Sequence, residues 1–508
     1  MNKKGSGTSV RRWFDRAIEA PLEALAGGRA RLKIIVLLAC VLALNSADTA
    51  TVGAVAMQLE HSLHIDNVQV GLLVTVSTAV GALVTLPFGV LADRVNRSRL
   101  LVVAIAVWSL ALMLNGLSTS YLMLLLSRLL LGCIVAAASP LVVSLTGDFF
   151  GSGERGRIFG YILAGELIGV AVGFLVSGNL AAVLSWRAAF WMLALIGLVL
   201  AWVIWRYLPE PARGGQSIIP EGADEVPMNT KDTASERPCR GPATELDDPI
   251  GRLVTSRRVP PHDEQILRDD PAHMGVWQAV RYALSVRTFR SLVIASALGY
   301  FYFTGLRTFA LLYMRETFHL GQAAASTLSV ALGCGSIVGV LLAGRLGDRL
   351  IRHGMLTARV HLAGWSFLIA AGALVPGLLF NSLYFTAPLL FIAAMGLGGA
   401  NPSLDAARLD VIPSSLWGRA EGIRATARFA LSAAAAPLFG YVASLFGHSS
   451  VALGAVHDGS GMRAAMLITM VALVAAGLVL LLRAVRTYPR DTATSQASDT
   501  AMHALQTP

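Results

Sequence analysis

The chain has 508 residues, of which 55% are hydrophobic and only 14% charged, with a net charge of +10. Soluble domains carry roughly 25% charged residues, so a water-soluble fold is excluded for the main body. The basic residues sit in loops between apolar runs rather than in one stripe, which argues against a nucleic-acid partner.

In chain order, residues 1–32 are basic, with Lys3, Lys4, Arg11, Arg12, Arg16, Arg29 and Arg31, and read as a cytoplasmic amphipathic segment. Arg11-Arg12 is not read as an export signal, because the apolar run after it is late, long and without a small-residue cleavage site. Apolar stretches of about 20 residues, enough to cross a hydrocarbon core of about 30 Å, follow near 33–57, 69–92, 99–117, 121–146, 157–183, 186–206, 289–313, 322–344, 357–378, 383–407, 420–446 and 463–485. They lack the strict alternation of barrel strands. The expected fold is an all-α membrane protein, with twelve transmembrane helices in two pseudo-symmetric six-helix bundles, 33–206 and 289–486.

Between the bundles, 207–288 is rich in Pro, Gly, Ser and charged residues, and most of it is expected to be disordered. Its end, Val276 to Leu284, has helical apolar spacing and is expected to lie along the membrane surface. Residues 487–508 are expected to form a disordered cytoplasmic tail. Basic residues fall in alternate loops, so the positive-inside rule places both termini in the cytoplasm of a cell with this protein in its inner (plasma) membrane. The four cysteines show neither paired nor metal-ligand spacing. No Walker loop, nucleophile elbow or zinc-helix motif occurs, so no cofactor, metal or enzymatic activity is expected.

The most informative motif runs from Gly89 through Asp93, Arg94 and Arg97 to Arg99, between two apolar stretches. A reduced copy, Gly344-Arg345-Leu346-Gly347-Asp348-Arg349, sits at the same place in the second half. Asp148 followed by Gly156-Arg157 returns at identical spacing as Asp410 followed by Gly418-Arg419. An internal duplication follows. Parallel repeats of this kind imply a substrate site near mid-membrane, where the repeats meet.

These motifs resemble the major facilitator superfamily over residues 33–486. The Gly89–Arg99 hairpin is similar to its loop 2–3 signature, and Arg128-x-x-x-Gly132 to its second signature. Gly165, Gly169 and Gly173 resemble its glycine-rich antiporter motif, with Val170 where that motif carries proline. Asn45-x-x-Asp48, the stretch from Leu59-Glu60 to Leu73, and Asp93-Arg94-x-Asn96-Arg97 are similar to the Spinster-like branch, whose members move lysolipids and sphingolipids. Thr49 and Val135 stand where that branch has an arginine and an acid.

Ionisable groups inside spans cost about 2.5–3.5 kcal/mol at the helix centre and are functional by default. Asp48, Arg128, Glu166, Arg307 and Arg428 are such groups. The duplication pairs Glu166 with Arg428, and Asp48 with Arg307, as mates of opposite charge. Either these groups face one another across the cavity or each pairs within its own bundle. Asp48 and Glu166 are the proton-coupling candidates. Arg128 either binds an anionic substrate group or pairs with Asp48. Arg307, Arg428, Tyr300, Tyr302, Asn45 and Asn401 complete the expected cavity lining, although helix–helix hydrogen bonding explains the asparagines equally well. Asp93 and Asp348 can cap the positive N-terminus of a neighbouring helix. The resemblance implies that Asp93 faces the start of span eleven near Arg419 and Arg424. The gating set is Gly89, Asp93, Arg94, Arg97, Asp148, Arg157, Asp348, Arg349, Asp410, Arg419 and Arg424, with a solvated membrane anchor as the plainer reading.

The sequence therefore suggests a monomeric secondary active transporter. It would move a small amphipathic or anionic organic molecule by alternating access, driven by protons, with export favoured over uptake. Its partners would be that small-molecule or lipid substrate, protons and membrane lipids. The alternatives are a lysolipid carrier and a non-transporting membrane sensor.

Overall fold

The computed structural model describes residues 20–65, 67–212, 217–223, 248–268, 274–318, 322–380, 382–446 and 460–506. Twelve helices among them are long and apolar enough to cross a membrane, numbered spans one to twelve here. They are Arg29–Ala54, Gly71–Arg94, Arg97–Leu117, Tyr121–Phe149, Arg155–Val183, Trp186–Tyr207, Arg287–Ala310, Val330–Arg352, Ala358–Leu379, Leu383–Val411, Ser414–Phe446 and Gly461–Met502. No strand occurs among the described residues.

Local sequence sets the helix ends. Asn96, Ser120 and Ser185 each accept a hydrogen bond from the backbone N–H three residues on, at the starts of spans three, four and six. Prolines set the interruptions. Pro140 and Pro437 each lack an N–H and crowd the carbonyl four residues before them. Span four accordingly breaks between Val135 and Ala138, and span eleven between Ala433 and Ala435. Span twelve loosens into a π-helical turn, Leu480–Ala484, just before Pro489.

Within the first bundle, span five lies on span one along a stripe of small residues. A Cβ added at Gly165, Gly169 or Gly173 would overlap Ala39, Ala43 or Ala47 respectively, so the glycines permit an approach closer than side chains allow. Each half has its own apolar core. Val143 and Phe159 of the first half pack into the core of the second, which ties the halves together on the side of the molecule that carries the two charged hairpins, the hairpin face.

The segment between the bundles is described at 207–212, 217–223, 248–268 and 274–288, whereas 213–216, 224–247 and 269–273 lie outside the described residues. Isolated apolar residues dock it: Ile219, Ile250, Val254 and Leu267 are buried. The N–H groups of Gly222 and Ala30 bond to the carbonyls of Gly27 and Ala223. The helix Val276–Ser285 buries Ala279 and Ala283 and leaves Trp277 exposed. The C-terminal stretch read as a disordered tail is instead a helix, Val485–Gln506. Its small polar side chains accept otherwise unpaired backbone donors. Asp491 accepts from Thr288 (2.7 Å), Ser498 from Leu267 (3.0 Å), and Asp499 from Ser414 (3.0 Å). Polar composition thus marks a docking strip here rather than a solvated coil.

Candidate functional site

At the hairpin face the bundles are joined by two mirrored crossings. Where span two meets span eleven, Asp93 accepts hydrogen bonds from the backbone N–H groups of Gly418 (2.9 Å) and Arg419 (3.0 Å). Where span eight meets span five, Asp348 accepts from Gly156 (3.1 Å) and Arg157 (2.6 Å). In both places a carboxylate sits on the unpaired donors and positive end of the opposite bundle's helix. The motif glycines make room for it. A Cβ at Gly89 would lie 2.5 Å from the Gly418 carbonyl oxygen, and one at Gly344 would overlap that of Gly156.

Behind each crossing an arginine braces an aspartate. Arg97 pairs with Asp148, and Arg359 with Asp410, over the same separation of 51 residues. Arg359 also reaches Asp348 (2.9 Å) and the Ser152 carbonyl of the other bundle. Arg155 lies 3.7 Å from Asp410 and over the ring of Trp417. Arg31 pairs with Glu154 in the adjoining loop, where burial pushes the Glu154 carboxyl up despite the opposing pull of Arg31.

Further along the seam lies a buried polar floor. Asp405 and Arg408 on span ten, and Glu421 and Arg424 on span eleven, are spaced three apart, which puts each pair on one helix face. Arg424 pairs with Asp405 and with Glu421 (3.0 Å), and reaches Ser296 on span seven (3.3 Å). Arg408 pairs with Glu421. Ser139 of span four donates to Glu421, so the floor is stitched across the bundles. Its two acids and two arginines balance.

Above this floor three bare charges converge from both bundles. Glu166 on span five accepts a hydrogen bond from Ser46 on span one (3.3 Å). It lies within coulombic range of Arg428 on span eleven and Arg307 on span seven. The Arg428 guanidinium stacks on Tyr300, 4.0 Å from the ring centroid. Neither Arg428 nor Arg307 forms a salt bridge among the described residues. Two guanidinium groups thus lie within coulombic range of Glu166, as does Asp405 of the floor, and with the floor balanced this cluster carries one positive charge in excess.

This architecture matches a known family. Residues 37–363 and 292–506 match the Major Facilitator Superfamily. The chain belongs to the Major Facilitator Superfamily. Similar proteins include the "Probable L-galactonate transporter" of Escherichia coli strain K12, 27% identical over 36% of this chain and 42% of that one. The 3-(3-hydroxy-phenyl)propionate transporter of the same organism is 28% identical over 33% of this chain and 42% of that one. The chain thus matches about four-tenths of the length of these relatives. Among solved structures, an inward-facing, unoccupied bacterial homologue of the human lysosomal transporter Spinster superposes with a TM-score of 0.53 at 19% identity, covering 90% of this chain and 97% of that one. "Protein spinster homolog 1" of Xenopus tropicalis is 28% identical over 39% of this chain and 39% of that one, so the Spinster-like resemblance stands beside the superfamily fold.

Within this superfamily fold, several residues lie elsewhere than the sequence suggested. Of the two alternatives for Asp48, facing Arg307 or pairing with Arg128 in its own bundle, the structure has the second. Asp48 is buried within the first bundle, where Arg128 donates to both its oxygens (3.1 and 3.3 Å) and lies over the ring of Phe190. Asn45 lines a small apolar pocket between spans one, three and four, with Leu44, Trp108 and Val135, and not the seam. Tyr302 is fully buried in the second bundle, packed on Phe439, and its hydroxyl donates to the Met466 carbonyl. The cause is helical periodicity. Tyr300 and Tyr302 are two positions apart and cannot share a face. Arg424 belongs to the polar floor rather than to the Asp93 crossing. Arg94 donates to the Met274 carbonyl (3.2 Å), Arg349 is exposed on the hairpin face, and Asn401 is half-buried on span ten.

Sequence reading missed Arg359, Asp405, Arg408 and Glu421. For Arg359 a signal was present, because the spacing from Arg97 to Asp148 recurs between Arg359 and Asp410. No group of metal-ligating side chains occurs among the described residues.

Proposed function

We propose that this protein is a secondary active transporter for a small organic acid, with Glu166, Arg428 and Arg307 forming the site where acid and proton meet. The observation carrying this reading is the charge imbalance above the floor. Asp48–Arg128 and the floor are each neutral, whereas two guanidinium groups share one carboxylate at the centre. Guanidinium is the side chain suited to bidentate carboxylate recognition. The named substrates of both relatives above are organic acids, which agrees with an anion in this place.

A substrate carboxylate and ionised Glu166 compete for Arg428. The site therefore holds the anion best when Glu166 carries a proton, and by linkage the two ligands favour each other. Anion and proton then cross together, and direction follows the proton gradient. This coupling favours uptake into a cell that extrudes protons. The export expected from sequence requires the two to move oppositely, which competition for one guanidinium does not supply. With the hairpin face towards the cytoplasm, as the basic loops suggest, the joined crossings close the inner side and leave the site to the outer one. Alternating access would separate Asp93 from Gly418 and Asp348 from Gly156.

Transport in proteoliposomes under an imposed pH gradient tests this, with 3-(3-hydroxyphenyl)propionate, L-galactonate and a lysophospholipid as probes. Gradient-driven accumulation of one of the acids is expected. Accumulation of the lysophospholipid alone would replace this reading with a lipid carrier.

A further inference from the structure

A second concavity, distinct from the central site, opens on the hairpin face. It encloses about 620 Å³ between Arg157 and Tyr161 of span five and Arg345, Arg349 and Arg352 of span eight, with His353 just beyond that span. Arg345, Arg349 and Arg352 recur at helical spacing, so they project from one face of the last turns of span eight. All three are exposed, and none forms an ion pair among the described residues. Arg345 lies over the ring of Tyr161 and donates to its hydroxyl (3.3 Å). Arg157 is held by Glu154 and Glu221, both at 3.2 Å. Like charges three and four residues apart on a helix repel, and the acid of span eight beside them, Asp348, is already taken up by Gly156, Arg157 and Arg359.

We propose that this pocket binds a phosphate-bearing anion, and that the favoured source is the headgroup of an anionic phospholipid. Guanidinium groups suit bidentate phosphate binding, and basic pockets at span ends are placed to take headgroups. The pocket lies where span eight ends, and the exposed apolar side chain of Leu25 borders it, as a ligand with a lipid body requires. Its walls come from both bundles. A bound phosphate bridges spans five and eight beside the Asp348 crossing, and stabilises the state in which that crossing is joined.

Native mass spectrometry of the purified full chain with phosphatidylglycerol, and with phosphatidylcholine as control, tests the site. The wild type should retain phosphatidylglycerol in preference. The variant R345Q/R352Q, which changes two exposed residues, should bind it about tenfold more weakly. Equal retention by both proteins would overturn the site. Calorimetry with inorganic phosphate separates the sources: saturable binding of phosphate without retention of phosphatidylglycerol would overturn the lipid assignment. The bridging role is read by hydrogen exchange at the Gly156 and Arg157 amides. Exchange should slow in phosphatidylglycerol nanodiscs relative to phosphatidylcholine for the wild type and not for the variant. Lipid-independent exchange would contradict bridging.

Discussion

Asp48 and Glu166 are both carboxylates inside spans, yet their surroundings give them different work. Asp48 is sealed against Arg128, and removing one member of a buried pair strands the other at a cost of about 3–5 kcal/mol. Asp48→Asn should therefore lower the melting temperature in detergent markedly, as thermal denaturation would show. Glu166 accepts from a serine and lies near two arginines without a close salt bridge. Glu166→Gln should leave the melting temperature nearly unchanged, keep exchange of acid for acid across the membrane, and abolish accumulation driven by a pH gradient. Arg428→Gln removes a charge-assisted contact worth about 1.5–3 kcal/mol, so acid binding should weaken roughly ten- to a hundredfold. Arg428→Lys should recover only part of it, because an ammonium lacks the planar fork that also stacks on Tyr300.

At the scale of elements, the two crossings are one device built twice. A glycine lets the helices touch, an aspartate takes the donors of the opposite helix, and an arginine braces the next aspartate. Adding a methyl group to such a contact costs about 1–3 kcal/mol. Gly89→Ala and Gly344→Ala should each open the hairpin face, seen as faster hydrogen exchange at Gly418–Arg419 and Gly156–Arg157 respectively. Asp93→Asn should do the same without steric strain, by weakening an interaction with a helix terminus worth up to about 2 kcal/mol, and Asp348→Asn should do so more strongly, because it also takes a buried partner from Arg359. The hairpins were visible in sequence because the motif is local. Arg359 is legible only through the repeated 51-residue spacing, and the floor is not, because its residues meet only once spans ten and eleven pack against one another. The terminal helix Val485–Gln506 is not legible for a related reason. Its serines, threonines and aspartates bond to loop backbone that sequence alone cannot bring near.

Across the whole molecule, the twelve spans and the duplication were legible because hydropathy and repeated spacing suffice to define them. Which charges meet at the seam was only half legible. The repeat pairs Asp48 with Arg307 and Glu166 with Arg428, and the structure keeps the second relationship alone, since Asp48 finds a nearer partner in its own bundle. The crossings join the bundles on one face, and the Ser139–Glu421 contact joins them at the floor, while the proposed acid and proton site lies above that floor. In the proposed mechanism, movement of the bundles and titration of the site are linked through whichever ligands occupy Arg428 and Arg307. The most direct measurement of that link is proton uptake when 3-(3-hydroxyphenyl)propionate or L-galactonate binds the purified protein in weakly buffered solution. Competition for Arg428 predicts proton uptake of up to about one per anion bound, lost in Glu166→Gln. Binding of the acid with no proton uptake in the wild type, or with undiminished uptake in Glu166→Gln, would contradict the account.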